Sequence, residues 1–94
     1  MGRRLQYESD VERFLCQRVR EAGGLCIKLG YNGLPDRIVM LPHGRVEFVE
    51  LKRPGGTLTE EQQLWLNRIS RLGITALCVK SREEVEQRYG KWSK

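Results

Sequence analysis

Apolar residues recur along this chain with two different periods, and the switches between them mark its elements. Val11, Phe14, Leu15 and Val19 lie three or four residues apart, which predicts an amphipathic helix over Tyr7 to Ala22 that Gly23-Gly24 ends. Leu25 to Leu29 then reads as a short strand. Arg37 to Leu41 and Arg45 to Leu51 are apolar, β-branched runs on either side of the breaker Pro42-His43-Gly44, so they read as a hairpin. Helical spacing returns over Thr59 to Leu72, where Trp65, Leu66, Ile69 and Leu72 form the stripe. Ile74 to Val79 is a further strand, and Ser81 opens a last helix. The order α-β-β-β-α-β-α predicts a meander of three strands, then a crossover helix that delivers the fourth. The class is α/β, or α+β, depending on how the last strand pairs: a mixed sheet flanked by helices. Residues 1–94 form one domain, with its core at about 8–80 and a C-terminal helix and tail over 81–94. In that tail Trp92 is a candidate to pack back.

The hairpin gathers the residues with chemistry to offer. Asp36 opens its first strand; Glu50 and Lys52 close its second. In an antiparallel pair the start of one strand lies beside the end of the next, so the three groups meet at one end. The period of two sets Glu50 and Lys52 on one face, in line with Val46 and Phe48. Two carboxylates and a lysine at a strand end suit a divalent metal beside an activated water. Taken singly, each has a plainer explanation: an exposed ion pair for Glu50 and Lys52, turn chemistry for Asp36. Their convergence favours the metal site.

Polar residues on two helices point the same way. At about 100° per residue, Glu8 sits roughly 45° from the centre of its apolar stripe and Glu12 about twice as far off. Gln62 lies near the middle of the second stripe. Inward polar groups need polar partners. Local capping competes as an explanation, because Ser9–Glu12, Thr59–Gln62 and Ser81–Glu84 all fit the capping box. Gln62 therefore serves either the helix start or the site, and Glu8 and Glu12 compete for the part of N-terminal acid.

Lysine and arginine total 17 against 12 acids, a net charge of +5 with pI near 9.4. Such a balance points to an anionic partner, nucleic acid first, and beside a metal site it favours phosphodiester chemistry. Lys28, Arg37, Arg53 and Lys80 are candidates for phosphate contacts, and Tyr31, in the loop Gly30-Tyr31-Asn32-Gly33, for a base or sugar. His43 sits in a turn and receives no role. Cys16, Cys26 and Cys78 are odd in number and have no close sequence pairing, so they read as reduced, mostly buried apolar residues. No apolar run approaches a membrane span and no secretory signal is evident, so a cytoplasmic location is expected. Without a P-loop or dinucleotide fingerprint, no organic cofactor is expected.

The ordered set Glu8, Gly33-Leu34-Pro35-Asp36, Glu50-Leu51-Lys52 and Leu58-Thr59-x-x-Gln62-x-x-Trp65 resembles the VRR-Nuc branch of the PD-(D/E)xK nuclease superfamily over about Glu8 to Val79. The resemblance implies a restriction-endonuclease-like αβββαβ core and hydrolysis of DNA dependent on Mg²⁺ or Mn²⁺. By it, Asp36, Glu50 and the backbone carbonyl of Leu51 hold the metal, and Glu8 assists directly or through water. Lys52 orients or activates the attacking water and steadies developing charge; Gln62 helps to position the Lys52 side or the scissile phosphate. Small stand-alone members, many from bacteriophages, are similar to Holliday-junction resolvases, which implies a homodimer acting on branched DNA in a bacterial cell. A small domain also gains by burying more surface in a dimer. Two other readings stand beside this one: a nicking or flap-cutting nuclease that needs a partner, and a basic DNA-binding module without catalysis.

Overall fold

The computed structural model describes residues 5–90; Trp92 lies outside them. The elements are α1 (Glu8–Glu21), β1 (Leu25–Lys28), β2 (Arg37–Leu41), β3 (Arg45–Leu51), α2 (Glu60–Arg71), β4 (Thr75–Val79) and α3 (Arg82–Tyr89). One four-stranded sheet runs β1-β2-β3-β4. The first three strands form an antiparallel meander, and β4 joins β3 in parallel after the α2 crossover. This is the mixed sheet that the sequence pattern predicts. Pro42–Gly44 makes the hairpin turn as one 3-10 turn, with His43 and Gly44 both at positive φ.

Alternation along the strands divides the sheet into two faces. Val39, Leu41, Val49, Leu51 and Val79 meet Val11, Leu15 and Val19 of α1 and Val85 and Tyr89 of α3 in one buried cluster. The same face buries Glu47, whose carboxylate accepts from Arg88 Nη2 at 2.8 Å, Tyr89 Oη at 2.7 Å and Arg45 Nε at 3.2 Å. On the opposite face α2 packs chiefly on β4. The register leaves Leu25, Ile27, Ile38, Met40, Val46 and Phe48 on that face of β1–β3. Leu25, Ile27 and Val46 are 58%, 43% and 40% exposed, an uncovered apolar surface.

Several local expectations change. The cap of α1 is Tyr7, whose N–H donates to Asp10 Oδ2 at 2.9 Å, rather than the Ser9–Glu12 box. Glu12 instead accepts from Arg37 Nε at 2.9 Å. Ser81 Oγ accepts from Glu84 N–H as expected, but the Glu84 carboxylate reaches past the cap to the N–H of Lys80. Leu72, assigned to the α2 stripe, is 77% exposed, because α2 ends at Arg71 and the next residue leaves helical periodicity. The cysteines are half-buried rather than buried, and Cys16 and Cys26 do come together, their Sγ atoms 3.1 Å apart between α1 and β1.

Candidate active site

The hairpin register pairs Arg37 with Val49, so Asp36 arrives opposite Glu50, one step beyond the ladder. Asp36 Oδ2 accepts the backbone N–H of Leu51 at 2.8 Å, which ties the acid to the strand end that carries Glu50 and Lys52. Glu50 is only 3% exposed. Burial pushes its carboxyl up to about 8, helped by the charge of Asp36 and a hydrogen bond with it; Lys52 opposes the shift and Glu8 adds to it. Buried Glu50 and half-buried Asp36 thus titrate as a coupled pair. The expected meeting of Asp36, Glu50 and Lys52 is what the fold produces.

Gln62 makes the capping contacts and also reaches Glu50. Its Oε1 accepts from Thr59 N–H at 2.9 Å while Thr59 Oγ1 accepts from Gln62 N–H at 3.1 Å, completing the capping box. Its Nε2 meanwhile donates to Glu50 Oε2 at 3.0 Å. One amide both starts α2 and fixes the rotamer of Glu50. An open cleft of about 420 Å³ leads to these groups on the α2 side, lined by Tyr31, Asn32, Gly33, Glu61 and Gln62 together with the two acids. Gly33 is needed there: its φ is +88°, and a Cβ would come within 2.5 Å of Trp65 Nε1. Glu61, a further acid in the cleft, has no counterpart among the residues singled out from sequence; its place in the first turn of α2, one residue before Gln62, was the available signal.

The other expected residues fall into two groups. Glu8 is the first residue of α1 and is exposed rather than buried inward, yet its charge reaches Glu50. Lys28, Tyr31 and Arg53 are exposed, Tyr31 by 68%. Arg37 is not available in the same way. Its guanidinium donates to Glu12 and, through Nη1, to the carbonyl of Cys26 at 3.0 Å, so it is committed inside the fold.

No group of three or more His, Cys, Asp or Glu side chains among the described residues is arranged to hold a metal ion. A site here has two carboxylates, backbone oxygen and water to work with. That all-oxygen set fits Mg²⁺ or Mn²⁺, which bind through one or two carboxylates and keep several waters, and does not fit zinc.

A mixed sheet that brings two acids and a lysine to the end of its central hairpin defines a protein of the nuclease class. The VRR-NUC domain profile matches residues 6–83. A phage protein named "Putative nuclease p44", from Acyrthosiphon pisum secondary endosymbiont phage 1, is 37% identical over 83 residues, covering 85% of this chain and 89% of that one. A solved structure described as a VRR_NUC domain superposes with a TM-score of 0.83 at 29% identity, covering 90% of this chain and 96% of that one. The chain belongs to the VRR-NUC domain family, and with it to the nucleases.

Proposed function

We propose that this protein is a divalent-metal-dependent endonuclease that hydrolyses phosphodiester bonds in branched DNA, four-way junctions among them, as a homodimer. The observation that carries the reading is the pairing of half-buried Asp36 with buried Glu50, held by Leu51 N–H and Gln62 and opposed in charge by Lys52. Asp36, Glu50 and the carbonyl of Leu51 would hold Mg²⁺ or Mn²⁺, with Glu8 reaching it through water. When bound, such an ion supplies charge that favours ionisation of an attacking water and offsets negative charge at phosphorus. Gln62 keeps Glu50 turned toward Asp36. Lys52, on the same strand end, steadies the charge that develops on the phosphoryl oxygens. Lys28, Tyr31 and Arg53 are exposed and contact the DNA backbone and its sugars or bases.

The uncovered apolar face of β1–β3, a patch of the kind that marks protein interfaces, supports the dimer reading. A two-fold axis through it gives a self-complementary contact and two active sites, which suits two opposed strands of a junction. The test is cleavage of labelled four-way-junction, splayed-arm and linear duplex DNA with Mg²⁺, Mn²⁺ or EDTA, using wild type beside Lys52→Ala. Paired, metal-dependent cuts in the junction, lost in Lys52→Ala while binding persists, are expected. Binding without cutting under either metal transfers the protein to the binding-module reading. A monomeric mass at micromolar concentration removes the two-site model.

A further inference from the structure

A second opening lies at the N-terminal ends of α1 and α3. It is a cleft of about 750 Å³ lined by Leu5, Tyr7, Arg53 and Pro54, with Gln6, Ser81 and Glu83 as its other polar members. Two of its walls are chain neighbours of site residues: Tyr7 precedes Glu8, and Arg53 follows Lys52. The cleft therefore borders the chain positions of Glu8 and Lys52.

Its chemistry is that of a stacking platform. Gln6 is 8% exposed and its amide is engaged at both ends, donating to Glu83 Oε1 at 3.0 Å and accepting from Arg82 N–H at 2.8 Å. Leu5 and Tyr7 remain open, 68% and 59% exposed, with Pro54 across from them. Arg53 is exposed, and its guanidinium bonds within its own loop, to the carbonyl of Pro54 at 3.2 Å. Apolar and aromatic walls, one cation at the edge and few polar groups to read a base suit a flat ring joined to an anion. The volume lies within the roughly 300–1,000 Å³ of ligand pockets. Glu83 on the wall disfavours a phosphate there and leaves the ring to enter.

Resting on the nuclease reading above, we infer that this cleft receives one unpaired nucleobase next to the scissile phosphate, stacked on Tyr7, with Arg53 on the adjoining phosphate. A paired base has both faces covered by its neighbours and must be unstacked to enter, whereas a base at a fork, flap or junction is already free. The cleft thus selects for branched DNA without reading sequence, because every base offers a π-face. Tyr7 caps α1 through its backbone, the N–H donating to Asp10 Oδ2 and the carbonyl accepting from the N–H groups of Asp10 and Val11, and the residue is 59% exposed.

The experiment uses splayed-arm DNA carrying 2-aminopurine at successive positions beside the branch, in EDTA so that nothing is cut. Wild type, Tyr7→Ala, Tyr7→Phe and Arg53→Ala are compared, with folding checked by circular dichroism. At one position the 2-aminopurine fluorescence should change on binding to wild type and Tyr7→Phe but not to Tyr7→Ala. Tyr7→Ala should also weaken splayed-arm binding roughly tenfold, the scale of one lost base–aromatic stack, and blunt-duplex binding less than twofold. Equal losses on both DNAs, or no position that depends on the Tyr7 ring, overturn the inference. So does a change in solution mass in Tyr7→Ala, which would give the cleft to a second copy of the chain. Cleavage by wild type in Mg²⁺ is scored separately: a fluorescence response without cleavage retains the base cleft and removes the nuclease reading, and the converse removes only the cleft.

Discussion

Replacing Glu50 by glutamine should make the metal-free protein more stable while destroying its activity. Glu50 carries its proton up to about pH 8 in the fold, against 4.5 in an unfolded chain. The folded protein therefore binds a proton that the unfolded chain releases, and this stability is fully present below pH 4.5. It falls as pH rises through 4.5 to 8 and levels off above that. A shift from 4.5 to about 8, at ~1.4 kcal/mol per pH unit, caps the loss at about 5 kcal/mol. Lys52 and water in the open cleft relax around the charge once formed, so a net of about 2–3 kcal/mol is expected, or roughly 10–20 °C in Tm for a domain this size. The amide of Glu50→Gln can donate to Asp36 and still accept from Gln62, so it fits the site without the charge. The assay is thermal unfolding in EDTA at pH 5 and pH 8.5. Cys26 and Cys78 do not confuse this window, because burial raises Cys26 to about 12 and Cys78 to about 11. Glu50→Gln should match wild type at pH 5, exceed it at pH 8.5, and gain nothing from Mg²⁺, which should restore wild type. A wild-type melting temperature that is flat between the two pH values would refute the argument.

Other perturbations separate the site from its support. Gln62→Glu keeps the acceptor for Thr59 N–H but loses the donor to Glu50, so cleavage should fall at least tenfold with the start of α2 intact by circular dichroism; Gln62→Ala should lose activity and also about 1 kcal/mol of stability in urea unfolding. Glu47→Gln turns an NH₂ toward the guanidinium of Arg88 and removes its counter-charge, which should cost roughly 2–4 kcal/mol in the same assay. Ile27→Glu places a charge on the uncovered sheet face and, if the proposed dimer forms there, should give a monomer by sedimentation while leaving the melting temperature within a few degrees.

Most of the fold was legible because its periods are strong. The strands that form the buried cluster with α1 are short apolar runs punctuated by Gly and Pro, and the first two helices carry apolar stripes at helical spacing. The site was legible for a geometric reason: an antiparallel hairpin must bring the start of β2 to the end of β3, so Asp36 had to meet Glu50. What the sequence withheld were choices among equivalent partners. Glu12 and Asp10 are both acids in the first half of α1, and only the fold decides that Asp10 caps Tyr7 while Glu12 takes Arg37. Arg37 looked as available as Arg53 because a guanidinium is exposed or committed according to what packs over it. Leu72 kept the stripe period on paper, but the helix stopped one residue earlier. The proximity of Cys16 and Cys26 depends on where α1 crosses β1, which no local pattern encodes.

Glu47 and Glu50 show how one strand assigns opposite work to the same side chain. They lie three residues apart on β3, face opposite sides of the sheet, and are 1% and 3% exposed. Burial would raise both. Around Glu47 the hydrogen bonds of Arg88, Tyr89 and Arg45 win, and its carboxyl is held below the usual range, a charge balanced within the protein. Around Glu50 the neighbours are Asp36, a neutral amide and one lysine, and burial wins. The first arrangement anchors α3 to the sheet and is complete without a ligand. The second is incomplete by the same physical standard, and completing it with an internal arginine would stabilise the fold and close the place proposed for a cation. A buried acid whose balance is left to come from outside is how a domain of this size keeps a reactive centre: the ordered, charge-satisfied end of β3 supports the end that is not.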